Sequence, residues 1–347
     1  MALTSAGADS TRIYDELLVT TAEHILPGIR ENAINASPIA SIFCGKIGMA
    51  LSGAIGADGS PSGSGTRMVS GESIRANVKL GKNESFQWLP SGYSETNIDT
   101  SDTARGSRAN FKLGIGTVVI SGSEKRKNSG AAQITSLLNH KETDTVSSMV
   151  DGVADAILSA VGVANAVTPL GSIISANDSL QGLSGGTFAH WNSRGVSAKG
   201  TAAASISFAS GSFATQGVAD MRTAYMNAEE GSIRPKVIVT TDAIHRYYEG
   251  SLTPGVRFDD VGMGDIGFQA LQFKSTPLFH DPRIATGVMY FLNTDYLFMA
   301  HLPGAMFDLT PAERGTNQDA FVANVLFEAN LVCEARKYQN KLTGITA

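Results

Sequence analysis

The chain has 347 residues and a net charge of −5, and 42% of its residues are hydrophobic while only 17% are charged. Soluble globular chains carry about 25% charged residues, so the low charge indicates surfaces that become buried against other molecules. A net negative charge disfavours general nucleic-acid binding, which needs a concentrated basic surface. The sequence contains no apolar stretch of about 18 residues, so we expect no membrane span. It has no signal-peptide pattern at its N-terminus, so we expect the protein to be made in a cytoplasm.

The N-terminal part of the chain is predicted to be an arm. Residues 12–33 carry apolar side chains at helical spacing, which favours an amphipathic helix. The stretch 51–66 is rich in glycine and serine and cannot bury enough apolar surface to order itself. A helix tethered by such a segment is typical of an arm that folds over a partner.

A long hairpin is predicted next. Residues 74–80 alternate between apolar and polar side chains, which is typical of a strand; the apolar positions are Ile74, Ala76, Val78 and Leu80. The turn at 81–83 leads to a second stretch, 85–89, which we expect to be the partner strand. An isolated two-stranded hairpin is marginal in water, so this one needs support from elsewhere. The polar stretch 94–108 then returns the chain to a further strand at 111–120.

The strongest helical signal lies between residues 130 and 162. Apolar residues recur there at spacings of three and four, the pattern of one buried helix face; they are Val146, Met149, Val150, Val153, Ala154, Ile157, Leu158 and Val161. With Ile134, Leu137 and Leu138 included, the helix exceeds about 25 residues and spans about 40 Å. The pattern predicts a single long helix that crosses a domain.

Residues 162–212 show no periodicity, and regular elements return after them. A helix is predicted at 215–230, then a buried strand at 236–240 and a helix capped by Thr241 or Asp242. Further strands are predicted at 268–273, 288–292 and 296–300. The clearest strand is 319–337, where apolar and polar residues alternate over about 17 residues, or about 55 Å.

Two glycine motifs suggest chemistry but lack the context that the chemistry requires. Residues 262–267 match GxGxxG, yet a dinucleotide site needs a strand before the motif and a helix after it, and here a strand is predicted to follow. Residues 182–186 match GxSxG, with His190 nearby. A nucleophile elbow places its serine on a strand-to-helix turn, whereas Ser184 lies in a serine- and glycine-rich run. We interpret the first motif as a flexible loop and the second as a coincidence.

The remaining candidate residues also favour structural interpretations. His245, His280 and His301 are expected to be separate histidines bonded to backbone groups, since a metal site needs three or four converging ligands. The basic run 125–127 is expected to be solvated or paired across an interface. Cys44 and Cys333 are expected to be buried, reduced thiols. The sequence predicts no catalytic residue, no cofactor and no metal site, and therefore no enzyme.

Three segments of the C-terminal third follow one another in an informative order. They are RPKVIVTTDAIHRYYEGSLTPGVRF (234–258), GFQALQFKSTPLFHDPR (267–283) and the segment 290–345, which begins YFLNTDYLFMAHLPG. They read as a β–α unit, a strand pair around FLN and a long final strand. In this order they resemble major capsid proteins of tailed bacteriophages. The resemblance covers residues 213–347 at the level of motifs and the rest of the chain at the level of architecture.

The resemblance implies an α+β Hong Kong 97-like phage capsid fold. Its parts would be an N-terminal arm, an extended E-loop hairpin, a peripheral P-domain with a long spine helix, and an axial A-domain. The corresponding ranges are 1–66 for the arm, 67–108 for the E-loop, 109–162 with 305–347 for the P-domain, and 163–304 for the A-domain. The family prototype joins its subunits by a Lys–Asn isopeptide bond. Lys79, Lys82 and Asn83 lie on the predicted hairpin, but no motif fixes either partner, so we predict no such bond.

The implied function is that of a structural major capsid protein that self-assembles into an icosahedral head shell around double-stranded phage DNA. The implied partners are other copies of the chain in pentamers and hexamers, a separate scaffolding protein, a portal and an optional decoration protein. DNA would be enclosed without sequence-specific binding and no membrane would be involved. The protein would be found in the virion, after assembly in the host bacterial cytoplasm.

Two other classes stay open at this point. A tail or adhesin module would be a different phage or surface structural protein, with β-rich periodicity and without the long helix around 146–161. A hydrolase would use Ser184 and a histidine.

Overall fold

The structure is a computed structural model, and it describes most of the chain from residue 37 onward. The described ranges are 37–44, 66–81, 103–127, 137–159, 163–175, 178–193, 217–252, 271–315 and 318–345, with single residues or pairs at 83, 85–86, 88, 90, 92, 206–207 and 213. The helix predicted at 12–33 lies outside the described residues, and so does the GxGxxG motif at 262–267.

The described chain contains short helices, one long helix and strands of very different length. The helices are α1 (Pro38–Cys44), α2 (Gly122–Lys127), α3 (Leu137–Leu158), α4 (Leu170–Ile173), α5 (Val218–Ala228) and α6 (Asp242–Ser251). The first strands are β1 (Thr66–Met68), β2 (Ser73–Lys79), β3 (Ala104–Asn110), β4 (Lys112–Ser121), β5 (Ser179–Leu180), β6 (Leu183–Ser184) and β7 (Ile206–Ser207). The later strands are β8 (Val237–Thr240), β9 (Leu271–Phe273), β10 (Thr276–His280), β11 (Met289–Leu292), β12 (Leu297–Leu309), β13 (Glu313–Arg314), β14 (Ala320–Cys333) and β15 (Asn340–Thr343). Short 3₁₀ helices lie at Ala189–Trp191 and Arg336–Tyr338.

The predicted long strand is the centre of a five-stranded sheet. Strand β14 pairs antiparallel with β4 along one side and with β12 and β13 along the other, and β1 adds to β12 in parallel. Its alternation is confirmed, because Ala323, Val325, Phe327, Ala329 and Leu331 are all buried. The strand ends at Cys333, earlier than the predicted residue 337.

The long helix packs on this sheet. Helix α3 has 22 residues, or about 33 Å at 1.5 Å per residue, and it contacts β4 and α1. The predicted buried face is confirmed at Val153, Ala154, Ile157 and Leu158. The predicted extensions at 130–136 and 160–162 lie outside the described residues.

A six-stranded sheet forms the second part of the structure, in the order β7-β15-β11-β8-β10-β9. Strand β8 alternates between two cores: Ile238 packs with the side chains of α5 and α6, whereas Val237 and Val239 belong to the largest core cluster. Both faces of the sheet are therefore buried, which explains why every residue of β8 and β11 is apolar or buried.

The largest core cluster joins the two sheets into one body. It contains residues of α1, α3, β8, β11, β12 and β14, among them Phe43, Ile157, Val239, Leu292, Met299 and Leu331. Arg283, in the turn after β10, adds an ionic connection by pairing with Asp151 and, at 3.0 Å, with Asp155 of α3.

Helix α1 was not predicted and is deeply buried. Its Ile39 and Phe43 side chains are fully inaccessible, and the Ser37 hydroxyl donates a hydrogen bond to the buried Asp281 carboxylate. Seven residues make about two helical turns, which is too short for periodicity to reveal. Residues 38–44 are therefore held in the largest core cluster of the subunit.

The hairpin differs from the prediction in its second strand. Strand β2 alternates as expected, but it pairs with β3, from Ser73↔Asn110 to Lys79↔Ala104, and not with residues 85–89. The polar stretch 94–108 therefore contains most of β3, the second strand of the hairpin. The physical reason is burial: Ser107 and Ala109 of β3 are inaccessible on the body of the subunit, and the Arg108 amide donates to the Gln181 carbonyl at 2.8 Å.

Two strands do not follow the expected boundary at residues 304/305 between the A-domain and the C-terminal part of the P-domain. Strand β12 begins at Leu297 and runs past residue 304, and it pairs with β14 on both sides of an irregularity between His301 and Met306. Strand β15, near the C-terminus, leaves the five-stranded sheet and pairs with β11 and β7 of the six-stranded one. Strand β10 was not predicted, and it forms the parallel partner of β8.

Candidate assembly surfaces

Two aromatic side chains stand free beyond the paired part of the hairpin. Phe86 is 74% exposed and Trp88 is 89% exposed, and their rings stack edge to face with centroids 5.3 Å apart. The paired part of the hairpin is buried by contrast as far as its loop end, since Val78 and Leu80 there belong to the largest core cluster. The support that an isolated hairpin needs is thus supplied by its own subunit, and the apolar end extends beyond that support.

Strand β4 presents a second exposed apolar surface. Val118 is buried against Val146 and Met149 of α3, and a Cβ atom on Gly116 would collide with the Met149 sulfur. Because successive side chains of a strand point to opposite faces, Leu113, Ile115 and Val119 point away from α3. All three are exposed. We call these three residues the β4 outer face.

A small apolar groove lies beside the same strand. It has a volume of about 200 Å³ and lies where β4 meets α3 and the turn at 165–167. Its lining includes Gly114, Met149, Val153, Ala166 and Phe327. Contiguous exposed apolar surface on a soluble chain marks an interaction site more often than a lone exposed side chain does.

A polar pocket lies at the beginning of β8 and β10. It has a volume of about 570 Å³, and Arg234, Lys236, Ser275, Asn293 and Asp295 contribute to its lining. The Lys236 ammonium donates to the Asp295 carboxylate at 2.5 Å. The pocket combines an internal ion pair with serine and threonine hydroxyl groups.

Ser184 does not lie on a nucleophile elbow. It belongs to β6, which pairs with β5 across a turn in which Gln181 and Gly182 have φ angles of 53° and 77°. Such positive angles are typical of a two-residue hairpin turn, whereas the elbow joins a strand to a helix. His190 is exposed in the following 3₁₀ helix. The GxSxG match therefore lies on a β-hairpin and not on a strand-to-helix turn.

The sequence predicted three separate histidines, but two of them are in contact in the structure. His245 of α6 and His280 of β10 touch, with ring centroids 5.2 Å apart and planes at 62°. His301 lies in β12, with Nδ1 3.1 Å from the Leu302 carbonyl oxygen. Sequence reasoning missed the pair because 35 positions separate its members, and only the parallel pairing of β8 with β10 brings them together. Among the described residues no group of three or more histidine, cysteine or acidic residues could hold a metal ion.

Two residues of the basic run make contacts within the subunit, and both thiols are buried in it. Arg126 pairs with Asp319 at 2.9 Å, and the Lys125 ammonium lies 4.4 Å from the centroid of the Phe321 ring, so these two charges are engaged within the subunit. Cys44 and Cys333 are both buried and free, as expected. Burial raises the pKa of each thiol to about 12.

In the described part of the chain no helix is long and apolar enough to cross a membrane.

Known proteins resemble this chain in structure, but none of the family models or curated proteins resembles it in sequence. No protein-family model and no curated protein matches the sequence. The structure of the cyanophage A-1(L) capsid asymmetric unit matches with a TM-score of 0.61 at 13% identity, over 95% of this chain and 98% of that chain. The capsid of the empty GTA particle matches with a TM-score of 0.57 at 12% identity, over 99% and 100%.

An encapsulin has a related structure. The holo-SrpI encapsulin complex from Synechococcus elongatus PCC 7942 matches with a TM-score of 0.53 at 9% identity, over 99% of this chain and 96% of that chain. The matches extend over nearly the full length of each protein, and they are to capsid and encapsulin chains. The resemblance inferred from the C-terminal third is therefore confirmed, and this chain has the fold of phage capsid proteins.

Proposed function

We propose that this chain is the major capsid protein of a tailed bacteriophage, a structural subunit without catalytic activity that self-assembles into an icosahedral head shell around double-stranded DNA. The observation that carries the proposal is the match to the cyanophage capsid over 95% of this chain and 98% of that one. The long helix α3 argues against the tail or adhesin alternative, and the hairpin position of Ser184 argues against the hydrolase.

We assign the capsid parts as the sequence predicted them, with two adjustments. Residues 1–66 are the N-terminal arm, 67–108 the E-loop, 109–162 and 305–347 the P-domain with α3 as its spine helix, and 163–304 the A-domain. The sheets favour moving all of β12 into the P-domain and β15 into the A-domain, because each strand pairs with that part of the structure. The end of the hairpin near Phe86 and Trp88 is the tip of the E-loop.

Assembly requires surfaces that neighbouring copies bury. The pair Phe86–Trp88 and the β4 outer face are different apolar patches on one subunit, and each is exposed in the isolated chain. A contact between two different patches is heterologous, and repetition of such a contact around an axis closes a ring. We propose that both patches are covered by neighbouring copies in pentamers and hexamers, at interfaces of the size found in obligate assemblies.

The remaining partners follow from the same proposal. A separate scaffolding protein would guide assembly, a portal would occupy one vertex and a decoration protein would be an optional addition. The net charge of −5 suits a shell that encloses DNA without binding its sequence, since strong phosphate contacts require a basic surface. The mature protein would reside in the virion after assembly in the bacterial cytoplasm.

The direct test is assembly of the full-length protein. We expect the purified chain, alone or co-expressed with a scaffolding protein from the same genome, to form rings or closed shells by negative-stain microscopy and light scattering. A stable monomer over a wide range of concentration and salt, with and without the scaffold, would contradict the proposal. Since an encapsulin shares the fold, particles from infected cells should also be tested for nuclease-protected DNA, and particles without DNA would contradict the phage-head assignment.

A Ser184→Ala variant separates the structural role from the hydrolase alternative. We expect normal particles and unchanged background turnover of a simple ester substrate. A measurable esterase activity that disappears in this variant would support the hydrolase instead.

A further inference from the structure

Two histidines meet at one edge of the six-stranded sheet. Strands β8 and β10 are parallel and end side by side, with His280 opposite Thr240 in the register. Helix α6 starts at Asp242, directly after β8, and its second turn brings His245 against His280 with ring centroids 5.2 Å apart. The contact therefore joins α6 to β10 at the carboxyl ends of two parallel strands.

The environment of His245 opposes a positive charge. The residue is only 6% exposed, and its Nε2 atom is buried with no hydrogen-bond partner among the described residues. The buried Thr241 hydroxyl oxygen beside it is in the same situation. A buried polar atom without a partner is costly, and a buried charge without one costs more.

The charged groups around His245 have opposing effects. Burial is the main cause that lowers its pKa below the ordinary value of 6.5, and the charge of His280 on β10 acts in the same direction. Asp242 and Glu249 of α6 itself raise the pKa and oppose these effects in part, but the Asp242 carboxylate is paired with Arg246. The contact between β9 and α6 is made by Tyr248, which meets the Phe273 ring and donates to the Gln272 carbonyl, so it adds no charge.

We propose that the His245–His280 contact makes the attachment of helix α6 to strand β10 sensitive to protons. With both imidazoles neutral, the rings pack and α6 stays on the sheet. A proton on either ring places a charge against its neighbour, and a proton on His245 places that charge in a buried site where Nε2 has no acceptor among the described residues. Acid therefore loosens α6 locally, whether or not the chain is part of a shell.

The direction of the pH dependence follows from proton linkage. When α6 opens, His245 becomes exposed and recovers its ordinary pKa, so the open state binds a proton more readily than the closed one. The packed state is fully favoured above about pH 6.5 and loses stability as the pH falls below that value. For one extra proton, the opening equilibrium increases by up to about tenfold per pH unit until the lowered pKa is reached.

Hydrogen exchange of the full-length protein measures this opening. Exchange would be followed by mass spectrometry at pH 7.5, 6.5 and 5.5, corrected for the intrinsic pH dependence, with the assembly state checked by sedimentation at each pH. We expect the α6 amides to lose protection by up to about tenfold between pH 6.5 and 5.5, relative to α5. Helix α5 is the reference because it packs on the same sheet and contains no histidine.

Three substitutions decide the result. His245→Gln should remove the extra response of α6, His280→Gln should reduce it, and His301→Gln in the other sheet should leave it as in the wild type. Equal responses of α5 and α6 in the wild type would overturn the proposal, as would an undiminished response in His245→Gln. If His245→Gln unfolds the protein, an undiminished response in His280→Gln overturns the role of the pair.

Discussion

The guanidinium group of Arg336 donates its Nε–H to the main-chain carbonyl of Ile173 at 2.7 Å. Arg336 is fully buried, and it also donates to the carbonyls of Ser175 at 2.9 Å and Asp178 at 3.1 Å. It begins the 3₁₀ helix that carries the chain from β14 in one sheet to β15 in the other. A single side chain thus connects the main chain at residues 173, 175 and 178 to the link between the two sheets.

Arg336→Met should destabilise the subunit strongly. The change leaves four carbonyl groups, those of Ser172, Ile173, Ser175 and Asp178, without their charged donor, and each orphaned buried acceptor costs about 1–3 kcal/mol. We expect a loss of about 3 kcal/mol or more in the free energy of unfolding, measured by urea denaturation of unassembled subunit. Arg336→Lys should recover only part of the loss, since an ammonium group lacks the planar fork of donors.

Arg222→Met is the matched control for this measurement. Arg222 is exposed on α5, and substitutions at such positions change stability by about 0.5 kcal/mol or less. A similar small effect for Arg336→Met would show that the loop is held by other contacts.

The double variant Phe86→Ser/Trp88→Ser should fold but fail to assemble. Both side chains are mostly exposed, so their loss removes no buried contact within the subunit. We expect unchanged circular dichroism and thermal unfolding, together with a loss of shells by negative-stain microscopy. Point variants are preferable to deleting residues 76–88, because that deletion would also remove the buried Ala76, Val78 and Leu80.

Met226→Ser provides a control of the same kind. Met226 is 54% exposed on α5, away from the hairpin in sequence and sheet. Normal shells are expected from this variant, and normal shells from the Phe86/Trp88 variant would count against the hairpin tip as an assembly contact.

Val118 and Val119 form a matched pair on the two faces of β4. Val118 is 3% exposed and Val119 is 47% exposed. Val118→Asp buries a charge against α3 and should prevent folding. Val119→Asp should leave thermal stability nearly unchanged while reducing assembly, because the charge falls on the β4 outer face. If Val119→Asp formed shells as efficiently as the wild type, the outer face would have no role in assembly.

The two thiols should be unreactive in the folded protein. Burial raises the pKa of Cys44 and of Cys333 to about 12, so the thiolate fraction at pH 8 is roughly one in ten thousand, against about one in four for a free cysteine. Iodoacetamide at pH 8 should therefore modify neither residue until urea unfolds the chain. Mass spectrometry measures the modification, and rapid labelling of either cysteine in folded protein would contradict the burial.

Elements with a strong local pattern were predictable from the sequence. The alternation in β2 and β14 and the helical spacing in α3 each identified the element and the face that it buries. These patterns survive because one face of each element contacts the core along its length. The two-ring contact of His245 with His280 and the carbonyl contacts of Arg336 had no comparable signal, since each depends on residues distant in sequence.

Strand partners were less predictable than strands. The turn at 81–83 suggested residues 85–89 as the partner of β2, but the partner is β3, more than 20 residues further on. Strand β10 was missed because the turn before it is formed by Lys274 and Ser275, which adopt φ angles of 49° and 63° without a glycine. Strand pairing is settled by which segments can bury a face together, and a turn motif records only local preference.

Sequence periodicity thus predicts an α+β chain with a strand at β2, a long helix and a long terminal strand, because these elements depend on neighbours a few residues apart. Only the tertiary structure shows that β12 and β15 belong to different sheets, that α1 is buried in the largest core cluster, and that the β4 outer face is exposed. These features depend on contacts between segments separated by up to hundreds of residues, such as Ser37 with Asp281. For such contacts, burial in a shared core outweighs local preference.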